Sequence, residues 1–172
     1  TLGLIGLGEI GGRVAKIAQA FGMHILTWSP HMTTERAAAV GATSVSLDDL
    51  LKQSHIVSLH LVASPTTKGL LNQEKLSLMR PDGLLINTSR STLIDTPALV
   101  EALRNHQIGG AALDVFDQEP LDPQHPLRTT PNTLLTPHLG FVAKPVFQSF
   151  VDGVVESLEA WLDGKPTIRP LP

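Results

Sequence analysis

Residues 2–12 read LGLIGLGEIGG, and the organisation of the whole chain is read outward from them. An apolar run over residues 2–5 has the character of a buried strand and passes directly into Gly6, Gly8 and Gly11, spaced G-x-G-x-x-G. Each glycine answers a separate steric demand. Gly6 lets the chain leave the strand in a tight turn, Gly8 removes the side chain that would hold the backbone away from a pyrophosphate, and Gly11 lets the next helix pack closely on the sheet. That helix, expected over Glu9–Ala20, points its unpaired N–H groups and the positive end of its dipole at the phosphates. Glycine clusters also make ordinary turns, so the weight of the motif lies in its context: strand before, helix after.

The composition is that of a globular chain, 42% hydrophobic and 17% charged over 172 residues, enough for one domain with a sizeable core. A net charge of −3 with no Lys/Arg cluster argues against a nucleic-acid partner. The absence of cysteine excludes a disulfide framework and a thiolate metal site, and a reducing, cytoplasmic compartment is the expectation. No apolar run approaches the roughly 18 residues of a membrane span. The chain begins at Thr1, one residue before a strand, rather than at Met; the expectation is a piece of a longer polypeptide with an N-terminal segment before it.

Strand and helix patterns then alternate. Residues 24–28 read as the second strand, and its end, where an acid would accept hydrogen bonds from an adenosine ribose about twenty residues after the first motif glycine, carries Ser29. Serine can hydrogen-bond a hydroxyl but does not repel a 2′-phosphate, so NAD and NADP both stay open; Ser29-Pro30 can equally just begin a turn. Thr33 reads as a helix N-cap with Gly41 as its stop, and Ser46 as a second cap, which makes Asp48 and Asp49 first-turn acids rather than a metal pair. Residues 55–61 form a strand followed by a loop over 62–68; residues 72–79 are helical in pattern, 84–87 a buried strand, and Asp95 or Thr96 caps a helix ending near Asn105. Strands follow over 109–115 and 133–136, and an amphipathic helix over 146–162 is stopped by Asp163-Gly164. Only residues 116–132, with Pro120, Pro123, Pro126 and Pro131, break the rhythm, and a loop of that length is more often functional than idle. The pattern predicts an α/β fold, a doubly wound parallel sheet of Rossmann type, which binds ligands at the carboxyl ends of its strands.

Three side chains fall just after successive strands: Arg90 in NTSRST, Glu119 in DVFDQEP and His138 in TPHLG. Singly, each reads as a surface cation, a loop acid and a structural histidine. Their joint placement at the ligand edge is what makes them candidates.

With these motifs in their order, GLGEIG at 6–11, INTSR...ID at 86–95, ALDVF..EP at 112–120 and TPHLG at 136–140, the chain resembles the nucleotide-binding domain of the D-isomer-specific 2-hydroxyacid dehydrogenases over nearly its whole length. The resemblance implies a nicotinamide cofactor, a small 2-hydroxy or 2-oxo acid substrate and a homodimer. It implies Arg90 as the substrate-binding arginine, His138 as the proton-transfer residue, Glu119 as its partner, and Asp114 at the nicotinamide carboxamide. Cofactor contacts carry over to Gly6, Gly8, Glu9, Ile10, Gly11, Ser29, Thr88, Ser89, Arg90, His138 and Gly140. It also implies residues 1–145 as the dinucleotide domain and 146–172 as a crossing helix and tail returning toward a substrate domain. Departures from the family pattern are Glu9, whose charge falls beside the pyrophosphate, Ser91 after Arg90, and Phe141 after Gly140.

The chemistry suits those residue types. An arginine fork can grip a carboxylate and polarise the neighbouring 2-oxo group at once, which a lysine cannot. Imidazole can take or give a proton near neutral pH, and a carboxylate beside it favours the charged ring and fixes which nitrogen meets the substrate. A second reading is a nucleotide-sensing interaction module, since the family includes transcriptional co-repressors; turnover of oxoacids separates the two.

Overall fold

The computed structural model describes residues 1–166. Seven strands make one sheet: β1 (Leu2–Ile5), β2 (Ile25–Trp28), β3 (Thr43–Ser44), β4 (Ile56–Leu59), β5 (Leu84–Asn87), β6 (Gly110–Leu113) and β7 (Thr133–Leu135). They lie in the order β3-β2-β1-β4-β5-β6-β7, every neighbouring pair parallel. Among the described residues the α-helices are α1 (Glu9–Ala20), α2 (Thr34–Ala38), α3 (Leu47–Gln53), α4 (Gln73–Leu76), α5 (Thr96–Arg104) and α6 (Lys144–Leu162). This is the doubly wound α/β arrangement. From β1 the chain builds outward through β2 to β3, then returns to the other side of β1 with β4, so the order reverses beside the glycine turn, where such sheets bind ligands.

A strand buried on both faces reads as continuous apolar sequence, and β1 is buried at every residue. The core is mostly leucine: Leu50, Leu51, Leu59, Leu71, Leu85, Leu93 and Leu103 are wholly enclosed, each worth about 1.5–3 kcal/mol of transfer free energy. A smaller cluster under α1 joins Leu2, Leu4, Ala15, Ala18 and Ile25. The caps form as the residue types dictate. Thr33, Ser46, Asn72 and Asp95 accept from the backbone N–H of Arg36, Asp49, Lys75 and Ala98, so Asp95 rather than Thr96 caps α5, and Asp48 and Asp49 sit in the first turn of α3.

Three local expectations shift. The two-residue β3 is too short and too exposed to leave an alternating pattern. The helix expected over residues 72–79 is regular only at Gln73–Leu76, because the amides of Leu78 and Met79 bond back three residues, to Lys75 and Leu76, ahead of Pro81. Conversely α6 starts at Lys144 and takes Pro145 into its first turn, where a missing N–H costs nothing. The proline-rich stretch contains a 3-10 helix, Pro126–Thr129, opened by His125.

The sheet unit runs from Thr1 to His138, and a second compact unit begins at Leu139. In the latter, α6 leaves Phe147, Phe150, Val154, Leu158 and Trp161 exposed along one stripe. The tail expected to follow α6 lies, from residue 167, outside the described residues. Among the described residues no helix is long and apolar enough to cross a membrane.

Candidate active site

Strand register sets up the site. Trp28, Ile5, Leu59, Asn87, Leu113 and Leu135 pair in one row across β2, β1, β4, β5, β6 and β7. Because all strands are parallel, the residues just beyond this row emerge at one edge: Gly6, Ser29, His60, Thr88 to Arg90, Asp114, and Thr136 to His138.

At the first exit Gly6 has φ +99°, and a Cβ there would meet the His60 carbonyl oxygen at 2.5 Å; only glycine makes this turn. A Cβ on Gly11 would collide with the Gly6 carbonyl oxygen. Gly8 is different, since nothing lies within 4 Å of the Cβ it lacks. Space at Gly8 is therefore left open on the ligand side, and Gly8, as the N-cap of α1, brings no side chain to occupy the first-turn amides. These are the features a pyrophosphate needs, and the turn fits a dinucleotide. Glu9 does not press on that space: its carboxylate is paired with Arg13 at 2.7 Å on the exposed face of α1. Ile10 is two-thirds exposed beside His60, Leu61, Thr88, Ser89 and Arg90, with which it lines a cavity.

Arg90 is presented by a loop that β5 holds from beneath. The side chain of Asn87, buried at the end of β5, donates to the Arg90 carbonyl at 2.9 Å and accepts from the Ser89 amide at 3.0 Å. Ser89 Oγ donates to the Leu61 carbonyl at 2.6 Å, tying this loop to the exit of β4. The guanidinium itself donates to the Ser89 carbonyl at 2.7 Å and stands in solvent.

Glu119 and His138 meet at the exits of β6 and β7. Glu119 Oε2 lies 2.7 Å from His138 Nδ1, while Oε1 accepts from the Phe116 amide at 2.9 Å. The histidine beside it and that amide hold the Glu119 carboxyl below its ordinary pKa. His138 adopts φ +54°, a left-handed conformation uncommon for a side-chain-bearing residue, directly after Pro137. Arg90, Ser91, Val115, Phe116, Asp117, Glu119 and His138 line a single open cleft. The three candidates from three strand exits thus share one surface. Asp114 is buried at the end of β6, where Thr136 Oγ1 donates to its carboxylate. Ser29 stands at the opposite wing, beyond β2, and Gly140 belongs to the second unit.

Two residues escaped the sequence reading. Asn87 carries no chemistry of its own, and its signal was a polar group ending the apolar run LLIN, which burial obliges to find partners. His60 likewise ends an apolar strand; burial holds its imidazole below the ordinary value, and Nε2 lies 3.0 Å from Ser58 Oγ. Among the described residues there is no cluster of three acids or histidines able to hold a metal.

A parallel doubly wound sheet with a glycine turn at its switch point defines a dinucleotide-binding domain. Residues 1–140 match the family described as D-isomer specific 2-hydroxyacid dehydrogenase, NAD binding domain, and the chain belongs to that family. It is 42% identical over 165 residues to a glyoxylate reductase of Aeropyrum pernix, covering 96% of this chain and 49% of the relative. It is 44% identical over 166 residues to a D-3-phosphoglycerate dehydrogenase of Synechocystis sp., covering 96% of this chain and 30% of the relative. Among solved structures, D-lactate dehydrogenase with NAD+ from Lactobacillus jensenii superposes with a TM-score of 0.83 at 30% identity, over 99% of this chain and 55% of that one. The chain spans between about a third and half of the length of these relatives.

Proposed function

We propose that this chain is the cofactor-binding half of an NAD-dependent oxidoreductase that interconverts a D-2-hydroxy acid and its 2-oxo acid, with His138 as acid–base, Glu119 as its partner and Arg90 on the substrate. The observation that carries the reading is the Glu119–His138 contact at 2.7 Å in a cleft that Arg90 also lines. The glycine turn, with Glu9, Ile10, Thr88 and Ser89, holds the dinucleotide, and Asp114 meets the nicotinamide carboxamide. Bound there, the nicotinamide supplies or accepts the hydride at substrate C2. The protein's own work is proton transfer and charge recognition. Glu119 takes Nδ1 of His138, so Nε2 is the atom that gives a proton to the 2-oxo oxygen in reduction and removes it in oxidation. Arg90 pairs with the substrate carboxylate, and its planar fork orients the adjacent carbonyl.

In this reading the chain functions together with a substrate domain that closes the cleft against water, and the whole works as a homodimer in the cytoplasm. The test is oxidation of reduced nicotinamide dinucleotide by the complete polypeptide on a panel of 2-oxo acids, glyoxylate and hydroxypyruvate among them. Turnover of at least one supports the reading. Tight cofactor binding and cofactor-dependent assembly without turnover on any would favour the sensing module.

A further inference from the structure

We propose that the ribose end of the cofactor site admits a 2′-phosphate, with Ser29 and Arg36 as the residues that set the preference between NADPH and NADH. The inference rests on the dinucleotide reading above and concerns only its adenosine end. In doubly wound domains the end of the second strand faces the adenosine ribose, where a carboxylate accepts from the two hydroxyls and repels a phosphate. Here β2 ends at Trp28 and the next residue is Ser29; between Gly22 and Thr34 the sequence holds no acid at all.

The loop beyond is shaped by its own bonds. Met32 N–H donates to the Ser29 carbonyl at 3.1 Å, closing a turn, and Arg36 Nη1 donates to the His31 carbonyl at 2.8 Å. The guanidinium is thereby docked on the same turn that Ser29 opens, instead of extending freely from α2. Glu35, the first acid after the strand, does not cancel it. Among the described residues no carboxylate forms an ion pair with Arg36. A hydroxyl donor and an exposed guanidinium not paired with an acid are the groups a phosphate monoester takes, the guanidinium through two parallel N–H bonds. His31, exposed in the same turn, adds a further donor.

Titration of the protein with NADPH and with NADH, followed by the fluorescence of the reduced nicotinamide, reads the two dissociation constants without any turnover. The expected result is an NADPH affinity equal to or within about tenfold of the NADH affinity, and a loss of about tenfold in NADPH affinity alone on Arg36→Ala, the scale of one charge-assisted phosphate contact. Ser29→Asp should raise the ratio of the NADPH to the NADH constant by about tenfold or more. Ser29 is half-buried at the start of the loop and Arg36 is exposed on α2, and an unchanged melting temperature confirms that folding is intact. NADH bound about a hundredfold or more tighter than NADPH by the unaltered protein, or variants that move both constants equally, would overturn the proposal while leaving the dinucleotide site standing. Binding of neither nucleotide would overturn the site and the proposal together.

Discussion

Glu119 divides its two oxygens between a backbone amide and an imidazole, and that division fixes where His138 points. Its depressed pKa carries a sign. A carboxyl whose folded value lies below its unfolded one contributes stability that is fully present above about pH 4.5 and is lost as pH falls through the folded value. Glu119→Gln should therefore lower the melting temperature at neutral pH, with the difference from the parent protein shrinking on acidification below that range. In the complete polypeptide the same substitution should lower kcat for oxoacid reduction, since the carboxylate that holds Nδ1 of His138 is gone; an unchanged kcat would contradict the pairing. Arg90→Lys should leave the melting temperature alone, because the side chain is exposed, yet lower kcat/KM for the oxoacid by about a hundredfold, through loss of the bidentate contact. At this scale the sequence displayed Arg90, Glu119 and His138, because each sits at a strand exit. It concealed Asn87, which bonds Ser89 and Arg90, and His60, whose carbonyl faces Gly6, because only the folded chain supplies those contacts.

Among the elements, the first strand, its turn and α1 were legible because three constraints coincide in a dozen residues: an apolar run, glycines where the backbone has no room for Cβ, and a helix starting immediately after. Gly6 and Gly8 separate structure from binding. Gly6→Ala forces a Cβ toward the His60 carbonyl at an unfavourable φ, a cost of about 2–4 kcal/mol, visible as a lowered denaturation midpoint. Gly8→Ala meets nothing in the protein and should leave that midpoint within about 0.5–1 kcal/mol, the helix-propensity scale, while weakening NADH binding in a direct titration. Asp95 gives an independent check on capping: its Oδ1 accepts from the Ala98 amide at 3.1 Å, and Asp95→Ala should cost about 1 kcal/mol in urea unfolding. Where the elements departed from expectation, local bonding decided. β3 exists only because β2 offers it an edge, and α4 is short because its last turn tightens before Pro81.

At the scale of the molecule, alternation of strand and helix announced a parallel sheet, but the strand order was not written in any one segment. It follows from which edge each helix crossing returns to, a matter of packing across the whole chain. The order matters to function, because it puts the reversal at the glycine turn and brings the exits of β5, β6 and β7 into succession along one edge, so that an arginine, a glutamate and a histidine from distant sequence face one cleft. The most direct test of that assembly is kcat for 2-oxo acid reduction by the complete polypeptide at saturating reduced cofactor, with and without His138→Gln. A fall of about 10²–10⁴, the span of general acid catalysis, is the expected result, and a kcat that stays within about twofold would contradict it.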